Sequence, residues 1–363
     1  MHTSDYCVIL CGGIGSRFWP VSRASCPKHF IDLLGVGRSM IQLTYDRLSK
    51  IFPVENIHVV AVQDYARLVE DQLPDLPKEN LLYEPVPRKT APCIARAALH
   101  IAARDKHARL LVAPADHLIL HENNFLHSVK QAMAYCVHHD SIISLGSQAT
   151  RPNTTYGYIQ RESPVDSANF PNLYSTRTFV EKPIEEMAQA FVQSKEFCWN
   201  TAHFVSRVDT ILKAFNVHLP AVMKILTKSM DTFCSPKEQA YIDKVYPMLP
   251  AVSIDYGVME KVDNVLLYQG DFGWSNLASW DALHHALPKD EQNNAKHGGQ
   301  ALMFNSANCM VAMPPNKLAV VDGLDNYIVA EKDDVLLICP KGDPDRVHRY
   351  MTITQVNFGE KAD

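Results

Sequence analysis

The chain has 363 residues, of which 47% are hydrophobic and 21% are charged, enough for one large core and one smaller companion domain. Its formal net charge of -5 argues against non-specific nucleic-acid binding, so a phosphate site must be local and made by a few groups. We expect no signal peptide, no membrane span and a cytoplasmic location, because no apolar run approaches the roughly 20 residues that a spanning helix needs.

The first half of the chain alternates between strand and helix patterns. Strands are predicted at 6–10, 57–62, 81–83, 109–113 and 141–145, and helices are predicted to begin near 41, 64, 90 and 123. Ser39 is a candidate N-cap of the first helix. Strands that are separated by helices indicate βαβ units, and they predict a Rossmann-like α/β fold with a mixed, mostly parallel sheet flanked by helices.

The second half is more mixed. Strands are predicted at 156–160 and 178–181 on either side of a polar loop, and helices at about 184–194, 207–230, 236–246 and 253–262. Short β-type runs follow between 301 and 339, before a helix near 344–350. These patterns predict a catalytic domain over 1–286, a polar linker over 287–300 and a small C-terminal β domain over 301–363.

Nine cysteines are scattered along the chain without a Cys-x-x-Cys pair. An odd and unpaired set indicates a reducing compartment. We interpret nearly all of these cysteines as small buried hydrophobic residues. Cys11 and Cys26 flank the glycine-rich segment, which leaves open a reactive thiol there.

The glycine-rich segment follows the first predicted strand directly. Glycines after a parallel strand let backbone N–H groups approach phosphate oxygens without obstruction by side chains. Arg17 and Lys28 add two cations. The planar guanidinium of Arg17 can donate two hydrogen bonds to phosphate oxygens, and Lys28 supplies a compact positive charge. The segment from Gly12 to Lys28, with Gly13, Gly15 and Ser16, therefore predicts a site for a nucleoside triphosphate.

Two familiar phosphate loops do not fit this segment. The dinucleotide fingerprint requires a third glycine where Phe18 stands, which argues against a nicotinamide-dependent dehydrogenase. The Walker loop requires a closing Gly-Lys-Ser/Thr, which is missing. A glycine turn without a ligand is the remaining alternative, and the two cations argue against it.

The run CGGIGSRFWPVSRASCPKHF (11–30) resembles the signature of the sugar-nucleotide pyrophosphorylases, most of all their mannose-1-phosphate guanylyltransferases. The resemblance continues in family order over some 330 residues. It includes EPVPRKTAPCIA (84–95), PADHLI (114–119), FVEKP (179–183), WNTAHF (199–204), SIDYGVMEK (253–261) and GDFGWSNLASW (270–280). It implies an Mg²⁺-dependent enzyme that transfers GMP from GTP to mannose 1-phosphate, forming GDP-mannose and pyrophosphate, and it leaves open a homodimer.

The resemblance also implies roles for individual residues. Arg17 and Lys28 are implied as catalytic, and the glycine segment as binding the triphosphate. Asp116 and Asn276 occupy the metal-binding positions, and Asp116 follows a predicted strand at the edge where open α/β sheets bind ligands. The base is implied to bind near Glu84, Arg88 and Thr90, and the sugar phosphate near Gly157, Glu181, Lys182 and Asn200.

Several positions depart from the family pattern. Asn276 replaces the second metal-binding Asp, and an amide oxygen ligates Mg²⁺ without contributing charge. The other departures are Thr155, Ala202 and Ala278 in place of Gly, and Lys89 in place of Asn. Two alternatives to a standard enzyme follow: a guanylyltransferase for a different sugar 1-phosphate, or a catalytically weak or inactive paralogue that binds nucleotide sugar and regulates a partner.

Overall fold

The computed structural model describes residues 3–359. The strands are β1 (Asp5–Cys11), β2 (Ile57–Val62), β3 (Leu81–Glu84), β4 (Arg109–Pro114), β5 (His117–Ile119), β6 (Ile142–Gln148), β7 (Gly157–Asp166), β8 (Phe170–Glu181), β9 (Phe197–Arg207), β10 (Val265–Gln269), β11 (Trp274–Asn276), β12 (Ala295–Phe304), β13 (Met310–Asp322), β14 (Tyr327–Lys332) and β15 (Val335–Pro340). The helices are α1 (Met40–Leu48), α2 (Ala66–Gln72), α3 (Thr90–Arg104), α4 (Glu122–Cys136), α5 (Glu185–Ser194), α6 (Val208–His218), α7 (Pro220–Leu226), α8 (Glu238–Val245), α9 (Trp280–Ala286) and α10 (Pro344–Phe358).

The chain forms two compact units. The first unit consists of the segment that ends at Gly12, Tyr45–Ala115 and Ile119–Trp274, and the second consists of Gly13–Thr44, Asp116–Leu118 and the segment that begins at Ser275. This grouping differs from the boundary expected near 287–300, because the glycine segment joins the C-terminal strands in the second unit. Strand β12 also begins at Ala295, inside the expected linker.

The first unit is built on a nine-stranded mixed sheet in the order β3-β2-β1-β4-β9-β6-β10-β8-β7. Its strands β3, β2, β1 and β4 are mutually parallel, as the alternating strand and helix patterns predict. Every residue of β2 is buried, which explains its unbroken apolar sequence. Helix α3 covers this parallel region and contributes its apolar face, from Ala91 to Ile101, to the main core.

Strand β9 is the main element that the sequence patterns missed. It lies between β4 and β6 and is antiparallel to both. Its polar residues Asn200, Thr201 and Ser206 interrupt the apolar run, yet all three are buried. Their side chains form hydrogen bonds, for example from Thr201 Oγ1 to the Leu145 carbonyl at 2.7 Å, so the strand tolerates them.

Two other expectations were wrong in detail. The polar loop predicted between 160 and 178 is a continuation of β7 and β8, which pair as a long antiparallel ribbon with an irregular register. The ribbon is stabilised by cross-strand pairing and not by burial, so its residues do not carry the expected apolar pattern. The single helix predicted over 207–230 ends at His218, because Pro220 begins a new helix.

The second unit carries a four-stranded sheet in the order β12-β13-β14-β15. Strand β12 is parallel to β13, and β13 is parallel to β14, although only short turns connect them. The turn residues Asn305, Asn308 and Asn326 have positive φ, a conformation that asparagine tolerates well. The β-type runs predicted at 309–313 and 318–321 merge into β13, and the helix predicted near 344–350 extends to Phe358.

Helix α1 begins as predicted. Gln42 N donates to Ser39 Oγ at 3.4 Å, and Ser39 N donates to Gln42 Oε1 at 3.1 Å, which is the reciprocal capping box. Over residues 3–359, every helix is too short or too polar to cross a membrane.

Candidate functional site

Only some positions of the glycine segment have a backbone conformation that requires glycine. Gly13 and Gly15 have φ of 89° and 77°, in the left-handed region. A Cβ on Gly15 would also lie 2.7 Å from Lys28 Cγ. Position 15 therefore requires glycine both for its backbone and for the close approach of the Lys28 side chain. Gly12, the last residue of the first segment of the first unit, has open space around it.

Lys28 and Asp116 form a buried ion pair at the centre of this region. Lys28 Nζ contacts Asp116 Oδ2 and donates to the Leu277 carbonyl at 3.2 Å. Burial alone would raise the pKa of Asp116, but Lys28, with smaller contributions from His29 and His117, holds it well below its usual range. Asp116 is therefore a carboxylate at neutral pH, and Lys28 has an anionic partner.

His29 completes the environment of Asp116. Its Nε2 lies 3.7 Å from Asp116 Oδ2. Burial lowers the pKa of His29 to about 4, although Asp116 opposes the change, so the imidazole is neutral near pH 7. A neutral His29 adds no positive charge to compete with Lys28.

Arg17 follows the glycines in the short helical turn Ser16–Phe18, and its guanidinium is partly exposed. Arg17 Nε and one terminal nitrogen donate to Asp345 Oδ1 of α10 at 3.1 and 2.8 Å. An exposed pair of this kind contributes at most about 1 kcal/mol. A phosphate can therefore displace Asp345 from Arg17 at little cost.

Asn276 ends β11 in the second unit, beside Leu277. Its Oδ1 is buried and has no hydrogen-bond partner among the described residues. A buried acceptor without a partner costs about 1–3 kcal/mol. Lys28 contacts both Asp116 and the backbone of Leu277, the residue after Asn276. The region therefore offers a carboxylate and an unsatisfied amide oxygen, which are suitable ligands for a divalent cation.

The four residues assigned to the sugar phosphate lie together in the first unit. A Cβ on Gly157 would fall 2.5 Å from Glu181 Oε2 and 3.3 Å from Asn200 Cβ. Glu181 Oε1 lies 3.7 Å from Lys182 Nζ. Asn200 Nδ2 donates to Asp255 Oδ1 at 3.0 Å. The sequence resemblance therefore selected residues that are neighbours in space.

Asp255 belongs to this cluster and was missed as a site residue. It begins a π-helical turn, Asp255–Met259, a geometry that is frequent at functional sites. Burial raises the pKa of Asp255, although the hydrogen bond from Asn200 opposes the change. Burial, followed by the charge of Asp255, raises the pKa of Glu181 to about 7. No motif spacing singles out Asp255, although it lies in the quoted run SIDYGVMEK.

The residues assigned to the base are also in the first unit. Glu84 is buried at the end of β3 and accepts a hydrogen bond from the Tyr246 hydroxyl. Burial raises the pKa of Glu84 to about 7. Arg88 donates to the Pro247 carbonyl, and its buried Nε has no hydrogen-bond partner among the described residues. Thr90 begins α3 and accepts from Ile254 N at 2.8 Å.

Two of the unusual residues have a positive φ. Ala202 has φ of 56° at a position where the resemblance implies glycine, and Lys89 has φ of 61° with ψ of -164°, a conformation that is unfavourable for any residue except glycine. Ala202 N is held by Asn200 Oδ1 at 3.0 Å, so the strained conformation lies beside the sugar cluster. Thr155 is exposed and donates to Asn153 Oδ1 at 2.7 Å.

We expect Ala202→Gly to raise the free energy of unfolding by about 1 kcal/mol, because a left-handed backbone costs alanine about 1–2 kcal/mol and glycine almost nothing. Urea unfolding measures the change. Ala278→Gly is the matched control, since Ala278 also replaces a family glycine but is not among the positive-φ residues, and it should be neutral or destabilising. Equal effects of the two substitutions would contradict the assignment of strain to Ala202.

Comparison with known proteins adds independent findings. Residues 6–293 match the family model described as nucleotidyl transferase. The chain is 35% identical over 335 residues to mannose-1-phosphate guanylyltransferase of Klebsiella pneumoniae, which covers 91% of this chain and 70% of that protein. It is 33% identical over 349 residues to xanthan biosynthesis protein XanB of Xanthomonas campestris, covering 95% of this chain and 72% of that protein.

A solved structure shares the fold. The crystal structure described as mannose-1-phosphate geranyltransferase from Thermus thermophilus superposes with a TM-score of 0.86 at 28% identity, covering 97% of this chain and all of that one. The mixed sheet flanked by helices and the C-terminal strands thus agree with the fold class that the sequence predicts.

Proposed function

Since the chain belongs to the nucleotidyl transferase family, we propose that it transfers GMP from GTP to mannose 1-phosphate, giving GDP-mannose and pyrophosphate. The observation that carries the proposal is the buried Lys28–Asp116 pair against the intact glycine segment. It provides a cation for phosphate and a carboxylate for a metal, and both would offset charge on reacting phosphates.

In this reaction an oxygen of the sugar 1-phosphate attacks the α-phosphorus of GTP, and the bond from that phosphorus to the pyrophosphate oxygen breaks. The amides of Gly12, Gly13, Gly15 and Ser16, which follow the end of β1 at Cys11, bind the triphosphate. Arg17 and Lys28 offset the negative charge on the phosphates. Asp116 and Asn276 would hold a divalent cation, for which we propose Mg²⁺, and that cation would offset negative charge on the phosphates.

The first unit supplies recognition of the base and the sugar. Glu84, Arg88 and Thr90 bind guanine, whose N1 and N2 groups donate hydrogen bonds that adenine lacks. The sugar phosphate is bound by Gly157, Glu181, Lys182 and Asn200, and Asp255 orients Asn200 through their hydrogen bond. We further propose a cytoplasmic enzyme, with a homodimer as its assembly.

The test is a pyrophosphate-release assay over several nucleotides and sugar 1-phosphates. We expect turnover that depends on Mg²⁺ and is fastest with GTP and mannose 1-phosphate. Fast turnover with another sugar 1-phosphate would support the altered enzyme that the site departures suggest. A chain that binds GDP-mannose tightly but turns over no combination would be the regulatory paralogue, and this outcome would overturn the proposed activity.

The pH dependence of sugar-phosphate binding tests the role of Glu181. A carboxylate whose pKa is raised to about 7 is mostly protonated below that pH, and a protonated group accepts hydrogen bonds from sugar hydroxyls less well. At saturating GTP, we expect KM for the sugar phosphate to rise as pH falls from about 8 to 6.5. Glu181→Gln should have a higher KM that is nearly constant over this range. An unchanged dependence in that variant would assign the titration to another group.

A further inference from the structure

The first unit contains a cavity of about 540 Å³ that is not part of the proposed function. Its wall includes His100 of α3, Glu238 of α8 and Cys234, which lies in the loop before α8. None of the residues assigned above to the nucleotide, the sugar phosphate or the metal lines it. The cavity therefore needs its own explanation.

Cys234, His100 and Glu238 form a connected array at this cavity. His100 Nδ1 lies 2.6 Å from Glu238 Oε2, and His100 Nε2 lies 3.6 Å from Cys234 Sγ. Cys234 Sγ also lies 3.0 Å from the His100 carbonyl oxygen, which accepts a hydrogen bond from the S–H group when the thiol is protonated. A thiol, an imidazole and a carboxylate in this order are the arrangement by which a base activates a cysteine nucleophile.

The array favours a charged imidazole. Burial alone would lower the pKa of His100, but the contacts with Cys234 and Glu238 raise it to about 9. His58 lies behind His100, with ring centroids 5.4 Å apart, and burial keeps the pKa of His58 low, at about 3. His100 is thus an imidazolium at neutral pH, and an imidazolium stabilises an adjacent thiolate.

Cys234 differs from the other cysteines of the chain. It is exposed, whereas Cys26 is half-buried and the remaining seven are buried. Its φ is 56°, a conformation that residues other than glycine seldom adopt, and its N–H donates to Glu238 Oε2 at 2.9 Å. Glu238 therefore holds both the backbone of Cys234 and the ring of His100, which fixes the thiol against the imidazole.

The cavity has an excess of positive charge. Lys78, Arg96 and Arg104 line it together with His100, against the carboxylates of Glu79 and Glu238. Arg96 is buried, and its Nε has no hydrogen-bond partner among the described residues, although it lies 3.5 Å from Glu238 Oε1. Donors and cations of this kind favour an anionic ligand over a neutral one.

We propose that Cys234 is a nucleophilic cysteine, activated by His100 and Glu238, which undergoes thiol–disulfide exchange with small anionic disulfides that enter this cavity. In the reactive pair the proton is already on His100 Nε2, and the Sγ thiolate of Cys234 attacks one sulfur of the disulfide. A new S–S bond forms as the old one breaks, and the second half leaves as a thiolate. The disulfide is the oxidant, so the step needs no other reactant.

The test uses 5,5′-dithiobis(2-nitrobenzoate), an anionic disulfide, and follows the thiolate that it releases. At about pH 6.5 we expect one fast thiol per chain, which reacts at least about tenfold faster in the folded protein than in the same chain unfolded in guanidinium. Cys234→Ser should remove the fast phase, and Cys26→Ser should leave it. The ratio of folded to unfolded rate should be larger for this probe than for neutral 4,4′-dithiodipyridine.

Replacement of His100 tests the activation itself. His100→Gln should slow the Cys234 reaction at least about tenfold at pH 6.5, and Glu238→Gln should slow it as well. If His100→Gln does not fold, the pH profile of the unmodified protein decides, because an ordinary thiol gains about tenfold in rate per pH unit below its pKa. The charged and titratable groups that surround the pair are Tyr6, His58, Lys78, Glu79, Arg96, Arg104 and Glu238.

Two results would overturn the proposal. One is a Cys234 that reacts no faster in the folded protein than in the unfolded chain. The other is a rate that keeps rising tenfold per unit between about pH 6 and 8, as it does for an ordinary thiol. A profile that is nearly flat over this interval, lost in Cys234→Ser, would support the thiolate–imidazolium pair.

Discussion

Asp116→Asn is expected to lower kcat/KM for GDP-mannose formation by at least about 10²-fold. The substitution removes the one carboxylate among the proposed metal ligands, and losing a single group that offsets transition-state charge typically costs 10²–10³-fold. It also deprives buried Lys28 of its anionic partner, which would shift Lys28 toward its remaining contact, the Leu277 carbonyl. Steady-state kinetics over a range of Mg²⁺ concentrations measures the loss.

A surface carboxylate provides the control for this substitution. Asp71 pairs with Arg67 on α2, and both side chains are well exposed, so Asp71→Asn should change kcat/KM by less than about twofold. Circular dichroism and urea unfolding must show that Asp116→Asn still folds. Activity within tenfold of the original, with an unchanged Mg²⁺ requirement, would contradict the assignment of Asp116 as a metal ligand.

The fold was predictable wherever local sequence and burial agree. Strand β2 has the predicted bounds because a strand buried on both faces needs an unbroken apolar run. Strand β9 was missed because its buried polar groups are satisfied by hydrogen bonds to other segments. No local sequence pattern reveals those bonds, which depend on its place between β4 and β6. The β7–β8 ribbon was missed for the opposite reason, since pairing without burial leaves no apolar signal.

The sequence resemblance proposed the members of the candidate site, but it did not reveal the contacts among them. The resemblance selected Lys28 and Asp116, yet their pairing joins segments that are far apart in the sequence. It selected Asn200 but not Asp255, because the role of Asp255 depends on its hydrogen bond to Asn200. Cys234 was overlooked in favour of Cys11 and Cys26, since exposure and a neighbouring imidazole are properties of the folded chain alone.

Asn276→Asp is expected to raise the affinity for Mg²⁺ by about 10- to 100-fold and to increase the rate at low Mg²⁺. The amide oxygen of Asn276 is buried without a hydrogen-bond partner among the described residues, so it is available to bind a cation. A carboxylate there adds a full charge to the attraction for the cation, and even at an effective dielectric constant of 20 that attraction amounts to a few kcal/mol.

The same substitution should make stability depend on the metal. Without Mg²⁺, Asn276→Asp buries a second carboxylate in the region of Asp116 and should lower the free energy of unfolding by about 1–3 kcal/mol. Added Mg²⁺ should restore it, because a ligand that binds only the folded state stabilises that state in proportion to the logarithm of its concentration over Kd. Asn276→Ala is the matched control, since it removes the oxygen and should abolish the response. Asn276→Asp with no gain in Mg²⁺ dependence would mean that the cation is held by other groups.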